Sequence, residues 1–187
     1  RAVGNALEVQ ESIDVLRGGG PDDIRALTLA LAREMLSLGG VDPDEAEKAL
    51  DDGRALERFR AIIAAQGGDP GVLDEPGRLP QATHVVPLAA PRSGYVTAID
   101  ARAVGVGAMM LGAGRARKED AIRPGVGVLI AARRGDRVEA GEPLLWMHHD
   151  DVGVEAAEAR LQAAWTIADA PPEARPLVIE RVGEGVG

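Results

Sequence analysis

Between Gln66 and Thr83 the chain carries four glycines and three prolines, and the spacing of its apolar residues changes across that stretch. Glycine and proline break helix and strand alike, so such a cluster separates structural units. Before it, apolar residues recur every three to four positions, the period of a helix with one buried face. After it, short runs rich in Val, Ile and Leu lie between turn residues, the pattern of strands. A chain divided in this way is neither a pure helical bundle nor a pure sheet. The expectation is an α+β protein with a helical unit at 1–66, a connection at 67–83 and a mostly antiparallel, strand-rich unit at 84–187.

Within the first unit, Asn5 and Glu8 stand at capping-box spacing, and Ala6, Val9, Ile13 and Leu16 share a face. Gly18, Gly19 and Gly20 end that helix, and Pro21 with Asp22 and Asp23 opens a second, whose buried stripe is expected to be Ile24, Leu27, Leu31, Met35 and Leu38. Asp42 and Glu45 repeat the capping-box spacing ahead of a third helix, and a fourth over 54–65 is expected to bury Leu56, Phe59 and Ile63. In the second unit, strands are expected at 84–88, 95–99, 126–131, 144–148 and 176–179. Helices are expected at 101–110 and 154–168.

Composition narrows the function classes. The net charge of -9 excludes a general nucleic-acid or anionic-membrane binder, since both require an excess of Lys and Arg. With no Cys, disulfides and thiolate metal sites are excluded, and no apolar run reaches the length of a bilayer. A cytoplasmic protein is expected. The sequence lacks an initiator Met and a signal-peptide pattern, and reads as part of something longer.

Five blocks then carry a resemblance: Val3-Gly-Asn-Ala-Leu-Glu-Val-Gln-Glu11, Ala65-Gln-Gly-Gly-Asp69, Gly94-Tyr-Val, Leu111-Gly-Ala-Gly-Arg115, and Gly127 through the Gly135-Asp-x-Val turn. In this order the chain resembles the C-terminal portion of bacterial thymidine phosphorylase and pyrimidine-nucleoside phosphorylase, most closely from Arg1 to His149. The resemblance implies that 1–66 is the helical end of the family's α/β domain and that 84–187 is its C-terminal domain, of hammerhead or barrel-sandwich type. It implies phosphorolysis of thymidine or another pyrimidine nucleoside to the free base and (deoxy)ribose 1-phosphate, in a homodimer with inorganic phosphate as co-substrate. The family's serine-and-lysine phosphate loop and its base-binding Ser-x-Arg signature have no counterpart here. The missing N-terminal part of the same enzyme is therefore the implied partner, and no catalytic or substrate-binding residue is assigned.

For site residues the resemblance implies a potassium ion held by the Glu11 carboxylate and the backbone carbonyl of Ala2, an oxygen donor set suited to a hard cation. On spacing alone, Glu11 reads as a solvated helix residue and Glu8 as a capping partner. The basic loop of Gly112, Ala113, Gly114 and Arg115, with Arg117 and Lys118 beyond, reads either as an anion cradle or as a packing loop, and it lacks the pattern of a P-loop. His84, His148 and His149 have no metal-ligand spacing and read as surface histidines, with the last two on opposite faces of a strand. Trp146 and Trp165 read as core anchors. Two other classes fit the turn spacing: a biotinyl or lipoyl carrier domain, which needs a modifiable Lys at a hairpin tip where only Lys48 and Lys118 exist, and a purely structural fragment.

Overall fold

Strand β1 (Ala2–Val3) and helix α1 (Asn5–Leu16) meet at Gly4, and this corner joins the two ends of the architecture. The computed structural model describes residues 1–183 other than 116. Helices α2 (Asp22–Leu38), α3 (Glu45–Asp51) and α4 (Arg54–Ala65) complete the helical layer. Then follow β2 (His84–Ala89), β3 (Gly94–Ile99), α5 (Ala101–Met110), β4 (Gly127–Ile130), β5 (Arg137–Val138), β6 (Pro143–His149), α6 (Val154–Gln162) and β7 (Trp165–Ala168). The strands form a four-stranded sheet in the order β1-β4-β6-β2 and a three-stranded sheet in the order β5-β3-β7, with every pairing antiparallel. The fold is α+β, as the change of period requires.

The core lies where the inner faces of both sheets meet α5 and α6. Val96, Leu111, Val126, Val128, Leu144, Leu145 and Leu161 are fully buried there, burial that typically stabilises by about 1.5–3 kcal/mol per large side chain. Helix α5 tolerates its two glycines because one is a contact: a Cβ on Gly107 would lie 2.6 Å from the Leu161 side chain of α6. The Asp100 side chain caps α5 by accepting from the Ala103 N–H at 3.0 Å. Among the described residues no helix is long and apolar enough to cross a membrane.

At the β1–α1 corner two backbones cross at contact distance. Gly4 has φ +148° and Gly127 has φ +154°. A Cβ on Gly127 would sit 2.4 Å from the Val3 carbonyl oxygen, and one on Gly4 would sit 2.7 Å from that of Val126. Only glycine fits both positions without strain. The crossing lets β1 pair with β4, matching Ala2 with Leu129 and Val3 with Val128. It also brings the Pro124 carbonyl within 2.9 Å of the Ala6 N–H.

That bond corrects the expected cap. The helix begins at Asn5 with Gly4 at the N-cap, and no side chain caps it. Pro124 takes one orphan N–H, Glu8 Oε1 accepts from the Gly4 N–H at 2.9 Å, and Asn5 is released to donate through Nδ2 to the Ala113 carbonyl, also at 2.9 Å. Only the Glu8 half of the capping box survives, because tertiary contacts supply the rest. The box at Asp42 and Glu45 also fails. Asp42 accepts from the Asp44 N–H two residues on, and Glu45 is drawn to Lys48 and Arg54.

Other expectations change as well. In α2 the residue that is buried is Leu29, while Leu31, Met35 and Leu38 are exposed, because none of the described residues covers their face. Leu56, Phe59 and Ile63 of α4 are only half-buried. The helix expected over 154–168 stops at Gln162, and Trp165–Ala168 pairs with β3 as a strand. Residues 176–179 form no strand despite their apolar sequence. The Gly/Pro stretch is more than a connection: its short 3-10 turns at Pro70–Leu73 and Pro76–Arg78 bury Leu73 completely, and Asp74 ion-pairs with Arg60 of α4 at 2.7 Å.

Gly127→Ala is expected to cost about 3 kcal/mol, combining backbone strain with the clash at Val3. Gly135→Ala, at φ +99° with nothing within 4 Å, is expected to cost about 1–2 kcal/mol. Urea midpoints of the two variants measure the difference, and equal losses would remove the crossing as the cause.

Candidate functional site

Helix α1 runs beside the edge strand β1, and Glu11, two turns along the helix, folds back onto the strand's free edge. Glu11 Oε1 accepts from the Ala2 N–H at 3.1 Å. The α-ammonium of Arg1 lies 2.9 Å from Oε1 and 3.1 Å from Oε2. On the opposite edge the Arg1 carbonyl accepts from the Ile130 N–H at 3.0 Å, so β4 is bonded to Arg1 and the polar groups of Ala2 turn away from it. In extended backbone the N–H and C=O of one residue share an edge, and the Ala2 carbonyl therefore opens on the side of Glu11.

The Glu11 side chain is only 15% exposed, and a carboxylate so enclosed needs charge compensation. Here it receives a unit positive charge and a backbone donor. The site opens into a groove of about 520 Å³ between α1 and the outer face of the four-stranded sheet, lined among others by Leu7, Gln10, Asp14, Pro21, Leu129 and Trp146. Gln10 Nε2 donates to Asp14 Oδ1 at 2.8 Å, which fixes that second carboxylate within the helix. The Glu11 carboxylate and an outward backbone carbonyl are oxygen donors of the type a hard cation takes. Glu8 is separate: its carboxylate is used on the Gly4 N–H and belongs to the corner.

The basic loop behaves as a packing element. Gly112 O accepts from the Arg123 N–H at 2.9 Å, the Ala113 N–H donates to Ala108 O, and Ala113 O holds Asn5. Arg115, Arg117 and Lys118 are exposed, the Arg115 guanidinium bonding the Lys118 carbonyl and the Arg117 N–H donating to Asp120. Lys118 thus lies in the α5–β4 connection and Lys48 in α3. Neither stands at the hairpin tip a carrier domain needs.

His84 is exposed, as expected, but His149 departs from the surface expectation: it is 6% exposed, and its ring sits 5.2 Å from that of His84. His149 Nδ1 accepts from the Asp151 N–H at 3.3 Å, while His84 Nε2 lies 3.2 Å from Asp151 Oδ2. Neighbouring Asp150 accepts from both the N–H and the hydroxyl of Thr83, which pins the start of β2 to the end of β6. Among the described residues no group of three or more His, Asp or Glu side chains is arranged for a metal ion. His148 points the other way, into a smaller cavity of about 200 Å³ with Leu7, Gln10 and Val85, and burial lowers its pKa below the usual 6.5. The two-residue period of β6 held this signal, since Leu145, Met147 and His149 face inward together.

The same alternation turns Trp146 outward, 36% exposed and paired across strands with Leu129 and Pro87, which corrects its expected role as a core anchor. Trp165 is such an anchor, 8% exposed with Nε1 donating to the Ala132 carbonyl.

Residues 95–168 match the pyrimidine nucleoside phosphorylase C-terminal domain. The chain is 46% identical over 183 residues to thymidine phosphorylase of Mycobacterium tuberculosis (strain CDC 1551 / Oshkosh), an alignment covering 97% of this chain and 42% of that protein. It is 45% identical over 175 residues to pyrimidine-nucleoside phosphorylase of Staphylococcus aureus (strain bovine RF122 / ET3-1), covering 90% of this chain and 40% of that protein. The chain is similar along nearly its whole length to these thymidine and pyrimidine-nucleoside phosphorylases and spans about two fifths of their length.

The depressed His148 pKa has a consequence for stability. Burial disfavours the imidazolium in the folded state, so the contribution is fully present above pH 6.5 and is lost as pH falls through the lower folded value. Between about pH 7 and about pH 5 the parent is expected to lose more thermal stability than His148→Gln, which cannot titrate there. Parallel slopes of melting temperature against pH for the two proteins would assign the acid sensitivity elsewhere.

Proposed function

We propose that this chain is the C-terminal part of a thymidine or pyrimidine-nucleoside phosphorylase, and that its share of the reaction is structural and electrostatic. The observation that carries the reading is the 46% identity over 97% of the chain to a protein named thymidine phosphorylase. In the proposed reaction, inorganic phosphate attacks the anomeric carbon of a pyrimidine (deoxy)nucleoside. The glycosidic C–N bond breaks with its electron pair leaving on the base, and (deoxy)ribose 1-phosphate forms. Residues 1–66 are the helical end of the larger phosphorylase domain in this reading, 67–83 connect, and 84–187 form the C-terminal domain of a cytoplasmic homodimer.

Glu11 and the Ala2 carbonyl are the proposed ligands of a potassium ion. In a chain that continues before Arg1, the Arg1 nitrogen is a neutral amide, and the positive charge that now meets Glu11 is gone. The enclosed carboxylate then keeps backbone donors at one oxygen and requires a cation at the other. Potassium, when bound, supplies a fixed positive charge that favours an anionic co-substrate nearby. Glu11 holds that charge in place, α1 sets the reach of its side chain, and the Gly4–Gly127 crossing fixes β1 so that the Ala2 carbonyl faces it.

In the intact parent enzyme, Glu11→Gln is expected to raise the potassium concentration for half-maximal phosphorolysis about tenfold, a loss of about 1.4 kcal/mol in cation binding. Helix propensity is nearly unchanged by this substitution. Glu8→Gln is expected to leave the potassium curve alone, because a Gln carbonyl still accepts from the Gly4 N–H. Phosphorolysis of thymidine titrated with potassium chloride against a sodium control reads both. A shift with Glu8→Gln alone would move the ligand by one helical turn, and no shift with either would remove the cation site.

A further inference from the structure

Two cavities flank Leu7 and Gln10 of α1. The larger opens beside Glu11. The smaller, of about 200 Å³, has walls from three segments of this chain: α1, the connection with Pro76 and Leu79, and the sheet with Val85 and His148. Close packing sets its shape. Val85 and Gly127 are the cross-strand neighbours of His148, so the imidazole stands beside a residue with no side chain, over which Leu7 packs. At Gly125 the main chain presses on the connection, and a Cβ there would lie 2.5 Å from the Gln81 carbonyl carbon.

The lining contains no Asp, Glu, Lys or Arg, and its one polar ring is His148. That ring makes no hydrogen bond or ion pair among the described residues. Burial alone holds its pKa below 6.5, so at neutral pH it is uncharged and offers one donor and one acceptor. A half-buried polar ring left unpaired favours any partner that supplies the matching groups. Gln10 uses Nε2 on Asp14 and leaves its amide oxygen uncommitted. Size narrows the partner further. An apolar cavity of about 150 Å³ admits benzene, and drug-sized ligands occupy about 300 Å³ or more. A space of about 200 Å³ therefore takes one substituted six-membered ring and excludes a nucleoside.

We propose that this cavity is a second binding site for the free pyrimidine base, with His148 meeting the amide edge of the base and Leu7, Pro76 and Leu79 covering its ring. The identity of the occupant rests on the phosphorolysis reading. Of the species in that reaction, phosphate and the sugar phosphate are anions for which the lining has no cation, and the nucleoside is too large. The base alone is uncharged, planar and a single ring, with N–H and C=O groups side by side.

Equilibrium dialysis of labelled thymine against the intact parent protein tests the site. The parent is expected to hold one base more per chain than Val85→Phe or Ala82→Leu, each of which adds volume to the cavity wall; Val85 is 50% exposed, so the larger ring there leaves the core alone. Neither variant is expected to change the KM for thymidine. Carbethoxylation of the histidines, read peptide by peptide in a mass spectrometer, localises the base. With thymine at about ten times its dissociation constant, His148 is expected to react about tenfold more slowly, and exposed His84 at an unchanged rate. Equal base counts in the parent and both variants, or a His148 that thymine does not protect, would overturn the site. The phosphorolysis reading fails separately. A protein that does not cleave thymidine, yet binds a base that both variants lose, leaves the cavity site standing, and phosphorolysis with no difference in base count removes the cavity site alone.

Discussion

The crossing of Gly4 over Gly127 is the contact on which the rest of this structure depends. Two main chains pass at a distance no side chain allows, and three consequences follow within a few residues. The first strand enters the sheet beside β4, the first helix has its opening N–H satisfied by Pro124, and Asn5 is freed to hold the Ala113 carbonyl. Because α1 is fixed at its first turn, the position of Glu11 two turns later is fixed as well. The placement of Glu11 against the edge of β1 is thus a product of backbone packing.

This arrangement explains why the helical layer and the strand-rich layer cannot be understood separately. A strand of two residues is too short to be stable alone, yet β1 completes a four-stranded sheet. The Gly/Pro stretch, by composition a connection, buries Leu73 and is tied to the helices by Arg17 and Arg60. At the far edge of the same sheet the turn at Asp150 and Asp151 binds Thr83, His84 and His149. Both edges of the sheet therefore carry polar clusters, and each joins segments distant in sequence.

The helical layer is rich in ion pairs, whereas much of its apolar surface is exposed. Helix α4 has no fully buried residue, and α2 has one. Amphipathic helices draw most of their stability from the surface their apolar face meets, and here much of that face is exposed. The domain between β2 and β7 is the opposite case, with its apolar residues gathered in one cluster between sheets and helices.

Sequence by itself determined the local pieces: the change of period at 66–83, the helices α1 to α5, and the strands β2, β3, β4 and β6, because these follow from hydrophobic spacing and from glycine and proline punctuation. The five ordered blocks also carried the family, which the 46% identity over 97% of the chain bears out. Tertiary structure alone decided the caps at Asn5 and Asp42, since whether a side chain or a distant carbonyl satisfies an orphan N–H is a matter of what packs nearby. It decided that Trp165–Ala168 is a strand, since pairing with β3 outweighs the helical period of the preceding residues. It decided that His149 is buried and Trp146 exposed, since alternation gives two faces without saying which one is covered. And it decided the surroundings of Glu11, because a carboxylate's spacing along a helix does not say which strand edge, nine residues back in the chain, will fold against it.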